Sequence, residues 1–169
     1  MIEVIVFDLD DTLLDTSKLL IPIAGTPAFE ARIRESLPPM PGAVKNLEML
    51  QTKYELYLVT QGRVEFQRQK IASLGVASYF RECFVFEPGP GHSKGRYFAE
   101  ILKRSGRPAS HHLSVGNRRA TDLREAKELG YQTCFFAHGE HVHDPVEKPE
   151  DIPDFEIRRH EELIPVCRL

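Results

Sequence analysis

The sequence predicts an α/β protein built on a doubly wound parallel sheet, with a short cap-like insertion after the first strand. Two observations carry that expectation. Five short apolar runs, rich in β-branched and aromatic residues, show little in/out alternation, as strands covered on both faces do. Amphipathic stretches at helical spacing lie between them, several closed by a glycine, and this βαβα rhythm is that of a Rossmann-like fold.

The elements follow in order. "VIVFD" (Val4 to Asp8) is the first strand. The segment 13–41 breaks the rhythm with five prolines and one expected helix, with Thr26 as N-cap and Pro27 in its first turn. Phe29, Ile33 and Leu37 would share one face of that helix. Val44, Leu47 and Leu50 mark a helix before the second strand, "LYLVT" (Leu56 to Thr60). A helix closing on Ile71, Leu74 and Gly75 precedes the third, "CFVFE" (Cys83 to Glu87). Phe98, Ile101 and Leu102 mark another, ended by Gly106, before the fourth strand, "LSVG" (Leu113 to Gly116). Leu123, Ala126 and Leu129 mark a helix stopped by Gly130 before the fifth, "TCFF" (Thr133 to Phe136). Residues 137–153, with three histidines and three prolines, read as surface chain. The organisation expected is a single core domain, 1–169, with 13–41 as an insertion too short for a core of its own.

Composition excludes some classes. Hydrophobic content of 41%, charged content of 28% and a net charge of -3 offer no global attraction for nucleic acid or an anionic membrane. Cys83, Cys134 and Cys167 show no CxxC spacing and read as free thiols of a reducing compartment. The first apolar run ends in acids rather than a cleavage site, and no run approaches membrane-spanning length. The expected location is cytoplasmic.

Ligands of open α/β sheets bind beyond the carboxyl ends of the strands. Those ends carry Asp8, Thr60-Gln61 and Gly116-Asn117, with Asp10 and Asp122 close by in sequence and Lys94 opening a helix. Clustered carboxylates repel unless a cation relieves them, and Mg²⁺ takes hard oxygen ligands. Phosphoryl transfer needs positioning and charge stabilisation, which Thr60 and Lys94 can supply. Asp8 could attack phosphorus, and Asp10 could protonate the leaving oxygen and then activate water.

At these residues the chain resembles the haloacid dehalogenase (HAD) superfamily. "DLDDT" (Asp8 to Thr12) is similar to its first motif, DxDx[TV], and "LVTQG" to its second. "SKGRYFAEILKRSG" resembles its third and "SVGNRRATDLREAKELG" its fourth, commonly GDxxxxD; "IPDFEIRRHEELIPV" is similar to its closing strand and helix. The resemblance implies the HAD fold and a Mg²⁺-dependent phosphatase. It implies Asp8 as nucleophile and metal ligand, and Asp10 as acid/base whose carbonyl also binds the ion. Thr60 and its neighbour Gln61 would bind phosphate together with Lys94, and Asn117 and Asp122 would complete the metal site. Asn117 departs from the family's usual acid, which removes one negative charge. The small insertion resembles capless or minimally capped members, whose open sites serve macromolecular substrates or are completed by a neighbouring subunit.

The expected partner is therefore a phosphorylated substrate, small or macromolecular, with a homo-oligomer completing the site as a further option. No membrane is expected, and nucleic acid only as a phosphorylated substrate. Two other readings stand beside this one: a metal-independent dehalogenase, which Asp10 disfavours, and a non-catalytic binding or regulatory module on the same scaffold. Arg63, Arg118 and Arg119 are candidate anion contacts. His138, His141, His143 and Asp144 match no defensible tetrahedral metal template.

Overall fold

Val4 to Phe7 form strand β1, whose four residues are all buried. A computed structural model describes residues 1–169. After β1 come the short helices α1 (Thr16–Leu19) and α2 (Pro27–Arg34), then α3 (Ala43–Leu50), β2 (Glu55–Gln61), α4 (Val64–Leu74) and β3 (Glu82–Phe86). The second half runs α5 (Lys94–Ser105), β4 (His112–Gly116), α6 (Arg124–Lys127), β5 (Gln132–Phe136), β6 (Phe155–Ile157) and α7 (Leu163–Cys167). The six strands make one parallel sheet in the order β3-β2-β1-β4-β5-β6.

Both faces of the sheet are covered, which is why the strand sequences lack polar alternation. Ile5 and Phe7 face a core shared with α2, α3, α4 and the C-terminal segment, through residues such as Ile33, Leu47, Ile71 and Leu163. Val4 and Val6 face the opposite core, where Phe98 and Ile101 of α5 pack with Ala126 and Tyr131. No helix is long and apolar enough to cross a membrane.

Three expectations about local structure change. Thr26 precedes α2 but does not cap it: its hydroxyl donates back to the Ile23 carbonyl at 2.7 Å. Leu37 is buried beyond the end of α2, because the helix stops at Arg34 before Pro38 and Pro39. The helix expected around Leu123 to Leu129 begins instead as a π turn, Arg119–Leu123, and ends at Lys127. That wide turn carries Asp122 over the end of β4, and π turns of this kind recur at functional sites.

Candidate active site

β1 and β4 are the adjacent strands at which the strand order reverses, the place where sheets of this kind open a binding crevice. Their register pairs Phe7 with Val115, so Asp8 and Gly116-Asn117 leave the sheet side by side.

Lys94, at the first turn of α5, joins the two ends. Its ammonium donates to Asp8 Oδ1 at 2.5 Å and also to Asp122 Oδ1. All three side chains are buried. Burial pushes the Asp8 carboxyl up to about 7; Lys94 opposes this, while Asp122 and Asp10 add to it. Burial alone would lower Lys94, but Asp122 and Asp8 outweigh it and hold the ammonium protonated. Two carboxylates thus share one cation, and one negative charge stays uncompensated.

Asp122 Oδ2 accepts the Arg118 amide at 2.8 Å, so both of its oxygens are occupied. It serves as a counter-ion of Lys94. Gly116 is required here, since a Cβ would overlap the Asp122 carboxylate.

Asp10 lies on the other side. Oδ1 accepts from Lys70 Nζ at 2.8 Å and Thr16 Oγ1 at 2.5 Å, and Oδ2 from Gln67 Nε2 at 2.7 Å. Burial would raise this carboxyl, yet Lys70 and the three hydrogen bonds outweigh it and hold its pKa below the usual range. Thr60, at the end of β2, is buried and accepts from the same Gln67 Nε2 at 2.6 Å. It does not cap α4.

Asn117 is buried, and its Nδ2 donates to the His138 carbonyl at 3.2 Å. That bond leaves Oδ1 for the cavity. Asp8 Oδ2 receives no protein donor, and no amide uses the Asp10 carbonyl. Three oxygens around an uncompensated negative charge suit a hard divalent cation. The donor set fits Mg²⁺.

Asp8, Asp10, Thr16, Lys70, Lys94 and Asn117 line a cavity of about 260 Å³ with Gln61, Asp11, Arg118, Thr121, Glu140 and His141; Ile21 is the one apolar residue on its wall. A larger hollow of about 620 Å³ between the insertion and Arg63-Phe66 holds none of Asp8, Asp10, Lys94 and Asp122. Arg63 lies over the Phe66 ring, 4.3 Å from its centroid, and Arg119 over Phe135 at 4.0 Å. Only Arg118 of the three arginines lines the cavity.

The histidines do not converge on Asp144 as a set. His141 pairs with Asp144 at 2.8 Å, while His138 meets Asp15 at 2.9 Å. Asp11, at φ 55, accepts the Ser17 amide and hydroxyl at 2.7 and 2.6 Å. Gly139 packs against it, where a Cβ would overlap the carboxylate. These contacts fasten the 138–144 segment to the loop after β1.

Sequence reasoning missed Thr16, Gln67 and Lys70. A signal existed for the last two: Gln67, Lys70, Ile71 and Leu74 are the buried residues of α4, at helical spacing on one stripe. Polar residues on a core-facing stripe mark a buried site.

No family model matches the chain. It is 31% identical over 134 residues to glyceraldehyde 3-phosphate phosphatase of Methanopyrus kandleri, covering 78% of this chain and 58% of that protein. It is 29% identical over 133 residues to the HAD-hydrolase YfnB of Bacillus subtilis, covering 76% and 54%. The chain thus spans little more than half the length of these relatives. The magnesium-bound crystal structure of YfnB superposes with a TM-score of 0.75 at 20% identity, over 99% of each chain. The fold and the ordered site residues define a HAD-type hydrolase scaffold. The chain belongs to the haloacid dehalogenase-like hydrolase superfamily.

Proposed function

We propose that the protein is a Mg²⁺-dependent phosphatase that hydrolyses a small, polar phosphate monoester through an aspartyl-phosphate on Asp8. One observation carries the reading: Lys94 holds Asp8 by one oxygen and leaves the other free, in a polar cavity that Asp10 and Gln61 also line. The phosphatase names of relatives, and the magnesium bound to YfnB, support it.

Asp8, the Asp10 carbonyl and the Asn117 side chain would hold the ion. When bound, Mg²⁺ neutralises charge shared by the nucleophile and the phosphoryl oxygens. The chain's own groups do the rest. Lys94 fixes the orientation of the Asp8 carboxylate, one oxygen of which bonds to phosphorus as the ester P–O bond breaks. Thr60 donates its hydroxyl proton to a phosphoryl oxygen. Asp10, ionised at rest, takes up a proton as the ester binds and gives it to the departing oxygen. It then takes one from the water that cleaves the acyl-phosphate and releases it with the phosphate, returning the site to its starting state. The cavity's size and its single apolar residue favour a compact hydrophilic leaving group.

The test is phosphate release from triose and sugar phosphates, nucleotides, phosphopeptides and 5′-phosphorylated oligonucleotides, with a haloacid as a chloride-release control. Small polar esters should be cleaved with Mg²⁺ and not with EDTA. Asp8→Asn should abolish release at an unchanged melting temperature. No release from any ester would overturn the proposal, and Mg²⁺-independent chloride release would replace it.

A further inference from the structure

Gln67 and Lys70 lie one turn apart on the buried stripe of α4, 2% and 6% exposed, and touch both halves of the site. Lys70 Nζ meets Asp10 Oδ1 at 2.8 Å. Gln67 Nε2 lies 2.7 Å from Asp10 Oδ2, 2.6 Å from Thr60 Oγ1 and 3.1 Å from the Gln61 carbonyl. The orientation of this amide follows from chemistry. An ionised carboxylate and a backbone carbonyl have no proton to give, so the face of Gln67 turned toward them is its donor.

Two consequences follow. An amide nitrogen cannot accept, so Thr60 Oγ1 receives a proton from Gln67 and keeps its own for another acceptor. Thr60 donates to no protein group, and its free proton is available to a phosphoryl oxygen. Meanwhile Asp10, whose side chain is 29% exposed, is held from Lys70, Gln67 and Thr16 at once. An aspartate carboxyl, on two rotatable bonds and held by three anchors, has little freedom to miss its target.

We propose that Gln67 and Lys70 are a positioning pair: together they aim the Asp10 carboxyl at the leaving oxygen, and Gln67 also turns the Thr60 hydroxyl toward the phosphoryl group. The inference rests on the phosphatase reading and adds to it a dependence on the leaving group. Correct aim of the acid matters for an alkoxide, which leaves poorly without a proton, and little for a nitrophenolate, which leaves unaided.

The experiment measures kcat and KM separately for p-nitrophenyl phosphate and for the best alkyl ester of the panel, in wild type, Lys70→Met and Gln67→Met. Because kcat/KM reports the steps through formation of the aspartyl-phosphate, it isolates the protonation of the leaving oxygen. Lys70→Met should lower kcat/KM for the alkyl ester by about a hundredfold, acting through kcat, and for the aryl ester by less than about fivefold. Gln67→Met should lower both, because Thr60 serves both esters, with the larger loss again on the alkyl ester. Should Lys70→Met not fold, Gln67→Met carries the same comparison. Equal losses on both esters would overturn the proposal, as would an alkyl rate that is unchanged or raised. A wild type inactive on every ester would overturn the phosphatase reading itself, whereas an active wild type with an unchanged alkyl-to-aryl ratio in the variants would overturn this inference alone.

Discussion

Asn117 stands beside the Asp8–Lys94–Asp122 group as a neutral amide. An acid there would add a second uncompensated charge beside the Asp8–Lys94–Asp122 triad. The amide supplies an oxygen without that charge, and its Nδ2 is fixed by the His138 carbonyl so that the oxygen faces the cavity. Asn117→Asp should therefore tighten Mg²⁺ binding by roughly tenfold, about 1.4 kcal/mol, since one unit charge at close range is worth at least that much in a partly buried site. The measurement is the Mg²⁺ concentration giving half-maximal phosphate release. A value unchanged or raised in the variant would show that Asn117 does not face the ion. The same substitution should weaken the tie to the 138–144 segment, because a carboxylate cannot donate to the His138 carbonyl.

At the scale of elements, the 137–153 stretch is more firmly built than its composition suggests. Asp151, fully buried in the 3-10 turn Pro149–Asp151, accepts from Arg124 of α6 at 2.7 and 2.8 Å and from the amides of Glu147 and Lys148 at 2.9 and 3.0 Å. The Arg124 hydrogen bonds hold its pKa well below the ordinary carboxylate range, against the effect of burial. Asp151→Asn keeps the volume but loses the charge and turns a donor toward donors, which should cost about 2 kcal/mol by urea melts at pH 7. Activity should persist at temperatures where the variant is folded, because none of these groups lines the catalytic cavity. The contrast with the strands explains what could be read in advance. All five expected strands are present within a residue or two, since buried parallel strands leave continuous apolar runs. The first-motif acids, Thr60, Lys94, Asn117 and Asp122 reach one sheet edge because strand ends dictate it. Asp151 stayed hidden because a polar residue's burial depends on a partner distant in sequence, here Arg124, and Gln67 and Lys70 showed only as polar residues on the core-facing stripe of α4. The π turn at Arg119–Leu123 stayed hidden too, since its apolar residues fit an ordinary helix equally well.

Across the whole molecule, the C-terminal segment is locked to the catalytic loop by a histidine. His160 is fully buried; its Nε2 donates to the Thr12 carbonyl at 2.7 Å, and the Asn46 amide faces its Nδ1 at 3.4 Å. The Phe136 ring lies 4.9 Å away, and Glu161 is the nearby charge that favours protonation. Burial dominates and lowers the pKa, so the folded protein holds His160 neutral. Protonation would turn an Nδ1–H toward the Asn46 amide hydrogens, two donors face to face. The unfolded chain binds this proton at about pH 6.5 and the folded one only at lower pH. The unfolded state therefore carries more protons in the window between the two values, and stability falls as pH drops through it. His112, also buried with a lowered pKa, acts in the same sense. Asp8, raised to about 7, titrates nearby with the opposite sign, because its folded form takes up the extra proton. The informative quantity is accordingly the difference between wild type and His160→Gln. Urea unfolding measured in steps from pH 7.5 to 5 should show the wild-type stability falling more steeply, by up to about 1.4 kcal/mol per pH unit within the window. Gln at this position can still donate to Thr12 but cannot take up a proton, so its curve should lack that component. Identical slopes in the two proteins would mean that His160 is not held neutral against Asn46 and Thr12, and that the C-terminal segment is fastened to the catalytic loop by packing alone.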